Sequence, residues 1–136
     1  MSNARTLRVR SDTAELGRVR KRVAVWAEGA GLAERTAHRL QLAVDETVAN
    51  AIEHGIEDDR RRVVIQGTLS RGRLTITVRY RGPRFDPTTA KTQSTRVALE
   101  RRAEHGYGLH LIRTLVDQVD YRRDGNVNEV RLTARG

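Results

Sequence analysis

Hydrophobic and polar positions in this 136-residue chain repeat with two different periods. Leu7 and Val9 alternate with polar neighbours over Ala4 to Arg10, the period of a short half-buried strand. From Leu16 the spacing lengthens. Leu16, Val19, Val23 and Trp26 fall on one side of a helix, with Arg18, Lys21 and Arg22 on the other. Ser11 and Asp12 are N-cap candidates, Glu15 follows Asp12 at the capping-box spacing, and Gly29 and Gly31 end the repeat. A longer helical pattern runs from about Glu34 to His54, with Leu40, Val44, Val48 and Ala51 on one face and Gly55 as its stop.

Alternation then returns. Val63, Ile65, Gly67 and Leu69, a turn at Arg71-Gly72, and Leu74, Ile76, Val78 and Tyr80 predict a hairpin. Residues 82–105 hold no sustained period and include Pro83, Pro87 and a Thr/Ser/Gln stretch, a connection long enough to suggest a functional lid. Leu109, Ile112 and Val116 restore helical spacing over Gly106 to Asp117. Val119 and Tyr121, an Asp124-Gly125 turn, and Val127, Val130 and Leu132 predict a last strand pair. The order β-α-α-β-β-lid-α-β-β suits an α+β, two-layer α/β sandwich with helices on one face of a mainly antiparallel sheet. No repeat or linker divides the chain, so a single domain is expected over 1–136.

Composition narrows the chemistry. The absence of cysteine excludes a disulfide scaffold, a thiolate zinc site and a cysteine nucleophile. No apolar run is long enough for a membrane span and no signal pattern opens the chain, so no membrane partner and a cytoplasmic location are expected. The net charge of +9 invites a nucleic-acid reading. Against it, the arginines are spread over every expected element, only Lys21 and Lys91 are lysines, and aromatics for base stacking are scarce. An arginine bias of this kind is what a GC-rich coding sequence produces.

Two stretches could carry chemistry. Leu42 to Gly55, LAVDETVANAIEHG, places Glu46 and Asn50 one helical turn apart. A carboxylate and a carboxamide in that relation suit a cation that prefers oxygen ligands, or a polarised water, although ordinary solvated helices carry the same pair. His105-Gly106-Tyr107-Gly108-Leu109 puts two glycines at a helix start, where backbone N–H groups favour an anion, although a tight turn needs the same residues. His38, His54, His105 and His110 lack zinc-site spacing, and Ser2, Ser11, Ser70 and Ser94 lack a nucleophile elbow.

Together these stretches resemble a known family. LAVDETVANAIEHG resembles the N-box, and HGYGLHLIRTLVDQVDY the G2 region, of the anti-sigma-factor serine/threonine kinases within the GHKL, or histidine-kinase-like, ATPase superfamily. Arg81-Gly82-Pro83-Arg84-Phe85-Asp86-Pro87 resembles the G1 region, where D-x-G-x-G is commonly followed by F-D-P. The resemblance implies the Bergerat sandwich, with residues 82–105 as an ATP lid. It implies Glu46 as general base, Asn50 as Mg²⁺ ligand, Gly82 under the adenine, and Gly106, Tyr107, Gly108 and Leu109 around the phosphates. The cofactors implied are ATP and Mg²⁺. The partners implied are a sigma factor and a STAS-domain anti-anti-sigma protein in a partner-switching system of transcription regulation, with homodimerisation left open.

The G1 region departs from the pattern. Tyr80 stands where the family has the aspartate that accepts from the adenine amino group, and Arg84 stands at the second glycine. Strand alternation turns Tyr80 inward, with Ile76 and Val78. These changes point to a kinase homologue whose Mg-ATP binding is weakened or lost. The alternative is a non-catalytic protein-binding regulator of the same fold, a pseudo-kinase; a nucleic-acid-binding protein is the third reading.

Overall fold

A computed structural model describes residues 3–55, 62–88 and 108–136. Strand β1 (Asn3–Arg10) leads through a 3₁₀ turn, Thr13–Glu15, into α1 (Leu16–Gly29) and then α2 (Glu34–His54). The hairpin β2 (Arg62–Ser70) and β3 (Arg73–Arg81) follows, then α3 (Gly108–Leu115) and the hairpin β4 (Gln118–Asp124) and β5 (Val127–Arg135). The five strands form one antiparallel sheet in the order β1-β2-β3-β5-β4. This is the expected α+β sandwich. Most of the expected lid, 89–105, lies outside the described residues.

Local chemistry explains where the elements begin and end. The Asp12 carboxylate accepts from the Ala14 N–H at 2.9 Å and so caps the 3₁₀ turn. The Asp12 N–H donates to the Arg10 carbonyl at 2.8 Å and Glu15 meets Arg18 at 3.4 Å, so the reciprocal capping box expected from the sequence does not form. Gly72 and Gly125 take φ of 73° and 58°, the left-handed conformations that the two hairpin turns require. Helix α3 stops at Leu115, short of the expected Asp117. The Asp117 N–H instead donates to the Thr133 carbonyl at 2.9 Å, and its carboxylate accepts from the Arg135 N–H at 2.7 Å.

The core lies between the helices and one face of the sheet. Val19, Val23 and Trp26 of α1 and Leu40, Val44 and Val48 of α2 close over Val63, Ile65, Leu74, Ile76 and Leu132. At Gly67 the Trp26 side chain of α1 presses against the sheet. A Cβ there would sit 2.7 Å from the Trp26 ring, so this β2 position holds no side chain. Arg20 and Asp45, at 2.9 Å, tie α1 to α2 at the surface.

The other face of the sheet is polar and follows the register. Arg8, Val64, Arg79, Glu129 and Arg122 form one cross-strand row, and Thr6, Gln66, Thr77, Arg131 and Asp120 the next. Arginines that look dispersed along the sequence are thus gathered in space. Among the described residues no helix is long and apolar enough to cross a membrane.

Candidate functional site

The second half of α2 is embedded. Thr47, Val48, Ala49, Asn50 and Ala51 are all buried, because this stretch lies between the sheet and α3. Thr47 satisfies its hydroxyl inside the helix by donating to the Ala43 carbonyl at 2.7 Å. Asn50 does not. It is 5% exposed, and its carboxamide has no hydrogen bond among the described residues. Its polar atoms are not among those shut off from solvent without a partner, so the amide stays available to a ligand that reaches this part of the helix. One turn earlier Glu46 is half-buried, with its Oε2 atom out of solvent. The two side chains therefore bring oxygen donors to one partly dry stretch of helix.

That donor set bears on a metal. Among the described residues no three His, Cys, Asp or Glu side chains cluster in a way that could hold an ion. An ion at this place would take few protein ligands and complete its shell with phosphate oxygens and water, which is the habit of Mg²⁺. The carboxamide oxygen of Asn50 and the carboxylate of Glu46 fit such an ion.

The end of α2 sets the G1 segment. A Cβ on Gly82 would lie 2.9 Å from both the Gly55 Cα and the His54 carbonyl oxygen, so only glycine lets β3 leave the sheet this close to the helix. The Phe85 ring stacks on His54, with centroids 4.2 Å apart and planes at 19°. Asp86 then accepts from the Thr88 N–H at 2.8 Å and from its hydroxyl at 2.6 Å, an Asx turn that fixes the path after Phe85.

Tyr80 fills the inner face as the alternation requires. It is 3% exposed, on the same side of β3 as Ile76 and Val78, and stands opposite Asn128 of β5. Burial pushes its phenol well above the ordinary tyrosine range; nearby Tyr121 adds to this and Arg123 opposes it. The hydroxyl is neutral at physiological pH, a group that can donate where a carboxylate can only accept. Arg84 takes another direction. Its side chain is 64% exposed, with the guanidinium 5.2 Å above the Tyr121 ring and 3.5 Å from Asp86, so it does not fill an enclosed space.

Asn128 is the residue that sequence reasoning missed. It is fully buried; its Oδ1 accepts from the Tyr121 hydroxyl and from Arg123 Nη1, the latter at 2.9 Å. Its Nδ2 donates to the Pro83 carbonyl at 2.9 Å and to the Gly82 carbonyl at 3.3 Å, and Arg123 Nη1 also donates to Gly82 O at 2.8 Å. Every hydrogen-bonding position of the amide is used. The signal was present in the strand parity, since Asn128 falls in phase with the inward Val130 and Leu132.

Of the expected phosphate-side residues, Gly108 opens α3 and Leu109 lies in its first turn. Gly106 and Tyr107 lie outside the described residues. Helix α3 is held to α2 by the Arg39 guanidinium, which donates to the Thr114 carbonyl at 2.6 Å. The structure thus sets Gly82 against the C-terminal end of the helix that carries Glu46 and Asn50, and Tyr80, two residues earlier, on the inner face of β3.

Comparison with known proteins agrees with this geometry. The sequence pattern of the histidine kinase-like ATPase domain matches residues 9–134. A serine-protein kinase RsbW of Bacillus mycoides (strain KBAB4) is 28% identical over 110 residues, which covers 78% of this chain and 69% of the relative. Among solved structures, the RsbU and RsbW domains of Rv1364c from Mycobacterium tuberculosis superpose with a TM-score of 0.70 at 19% identity, over 98% of this chain and 32% of that one. The histidine kinase AdeS of Acinetobacter baumannii superposes with a TM-score of 0.51 at 12% identity, over 98% of this chain and 67% of that one. At such identities the two superpositions speak for the fold alone.

Proposed function

Because the chain belongs to the histidine kinase-like ATPase domain family, we propose that it is a regulatory serine/threonine kinase homologue of a bacterial partner-switching pair, in which the phosphate half of the site is kept and the adenine half is altered. The observation that carries this reading is Tyr80, buried on the inner face of β3 where the resemblance calls for an aspartate. A carboxylate there would accept from an exocyclic amino group. A neutral phenol replaces that charged acceptor with a weaker one on a bulkier ring, beside an Asn128 whose own positions are used, which weakens base recognition. The single domain over 1–136, with 82–105 as its lid, belongs to the same proposal.

The retained half has its own logic. Glu46 would take the proton of an incoming serine or threonine hydroxyl, and the buried Asn50 carboxamide would direct its oxygen toward the metal. Mg-ATP, when bound, supplies the phosphoryl group and the charge neutralisation for its transfer. Gly106 and Gly108 would present backbone to the phosphates, with Tyr107 and Leu109 also on the nucleotide. A sigma factor and a STAS-domain antagonist are the proposed partners.

A second reading, a pseudo-kinase that works by occupancy alone, is favoured by the closed Asn128 network at the base end. Size-exclusion chromatography with sigma factors and STAS-domain proteins from the source genome, with and without Mg-ATP, tests the shared core of both readings. A stoichiometric complex that forms without added nucleotide is the expected result. No complex with any of these partners contradicts both. Phosphotransfer to a STAS-domain serine that is abolished in Glu46→Gln decides for the kinase over the pseudo-kinase.

A further inference from the structure

The charge of this protein is one-sided. Strand parity turns nine arginines and three carboxylates of the five strands to the face away from the helices, a net +6. Helices α1 and α2 together carry six basic and five acidic residues, which nearly cancel. Most of the +9 on the chain therefore lies on the open face of the sheet. The face also has relief: a depression of about 520 Å³ lies on it, with Thr75, Thr77, Thr133, Arg73, Arg131 and Arg135 in its lining.

Only part of this charge is neutralised from within. Glu129 holds Arg79 at 2.8 Å and Arg131 at 3.4 Å. Among the described residues Arg73, Arg81, Arg122 and Arg135 have no ion pair. Like charges gathered without partners repel one another, and a complementary surface relieves that repulsion.

Three occupants can be compared. A second copy docked through the same face would set one +6 surface against another, which disfavours an isologous pair. A nucleic acid would find no aromatic side chain at the outward strand positions for stacking, and would bring phosphates against Glu129 of β5 and Asp120 of the edge strand β4. An acidic protein surface can set carboxylates against the unpaired arginines, with bidentate geometry, and place amides or hydroxyls against the threonines and these two acids.

We propose that the open face of the sheet is a docking surface for an acidic face of a protein partner, with Arg73, Arg122 and Arg135 among its anchors. Tyr80 and the α2 pair Glu46 and Asn50 lie on the other side of the sheet, so this docking does not depend on nucleotide and stands apart from the kinase reading.

The test uses poly-L-glutamate as the acidic probe, followed by fluorescence anisotropy on the full chain. One variant, Arg73→Gln, Arg122→Gln, Arg135→Gln, removes three charges from the sheet face. A second, Arg18→Gln, Lys21→Gln, Arg22→Gln, removes three from exposed positions of α1 and so matches the change in net charge. Both are checked for native circular dichroism and melting. The expected result is a loss of about tenfold in affinity for the sheet variant and less than about threefold for the helix variant. Equal losses overturn the proposal, because the attraction is then diffuse. A 20-base-pair duplex held with a Kd below about 1 μM at 150 mM salt, and released by the sheet variant, overturns it in favour of nucleic acid. A dimer in sedimentation that the sheet variant abolishes overturns it in favour of a second copy.

Discussion

The imidazole of His54, the last residue of α2, lies flat against the ring of Phe85, with 4.2 Å between centroids. This contact, and the close approach of Gly82 to the same helix end, join the helix bearing Glu46 and Asn50 to the segment that follows Tyr80. The two halves of the site therefore cannot shift independently. Phe85→Ala is expected to cost about 1 kcal/mol beyond the area it exposes, read by urea denaturation, and Phe85→Tyr to restore most of it. Equal stability in Phe85→Ala and the natural protein would show that the stack contributes nothing.

Gly82 is the tighter constraint. The added methyl of Gly82→Ala would meet two backbone atoms of the helix end at 2.9 Å, and backbone cannot rotate away as a side chain can. A destabilisation of about 1–3 kcal/mol is expected, seen as a lower denaturation midpoint with an unchanged slope. A neutral outcome would mean that β3 and α2 separate more easily than their packing implies.

Asn128 should matter more than any single bond it makes. In Asn128→Ala the Gly82 and Pro83 carbonyls and the Tyr121 hydroxyl lose a partner together, at an expected cost of about 2–4 kcal/mol. Tyr121→Phe removes one donor and should cost about 1 kcal/mol. Because the two side chains share a bond, the double variant is expected to fall short of the sum; strict additivity would argue against a network.

Acid titration reports on the open face. The Arg79 hydrogen bond, foremost among several influences, holds the Glu129 carboxyl below the usual carboxylate range; burial opposes it, and nearby arginines assist. The folded state thus takes up that proton less readily than the unfolded chain. The stabilisation is present above the ordinary carboxylate range and is lost as pH falls through the lowered value. Glu129→Gln should lower the neutral plateau and flatten the acid limb by a comparable amount, so that the two proteins converge at low pH. An unchanged acid limb would remove Glu129 from the account.

The elements were legible because strands and helices wrote different periods into the chain, and glycines at 72 and 125 marked both hairpin turns. The burial of Tyr80 followed from parity with Ile76 and Val78. What parity does not give is cross-strand pairing. The Asn128 network needs Tyr121, Arg123 and Gly82 together, and the order β3-β5-β4 that unites them is a tertiary fact. The gathering of arginines on one face escaped for the same reason: each strand carries only a few, and the sheet collects them. The capping box failed because the Asp12 N–H donates to the Arg10 carbonyl.

Calorimetric titration with ATP and ADP, with and without Mg²⁺, of the natural protein beside a Tyr80→Asp, Arg84→Gly variant tests the central claim most directly. The account predicts weak or undetectable binding by the natural protein and binding by the variant that is Mg²⁺-dependent and reduced by a further Asn50→Ala. Tight, Mg²⁺-dependent ATP binding by the natural protein, unimproved in the variant, would contradict it.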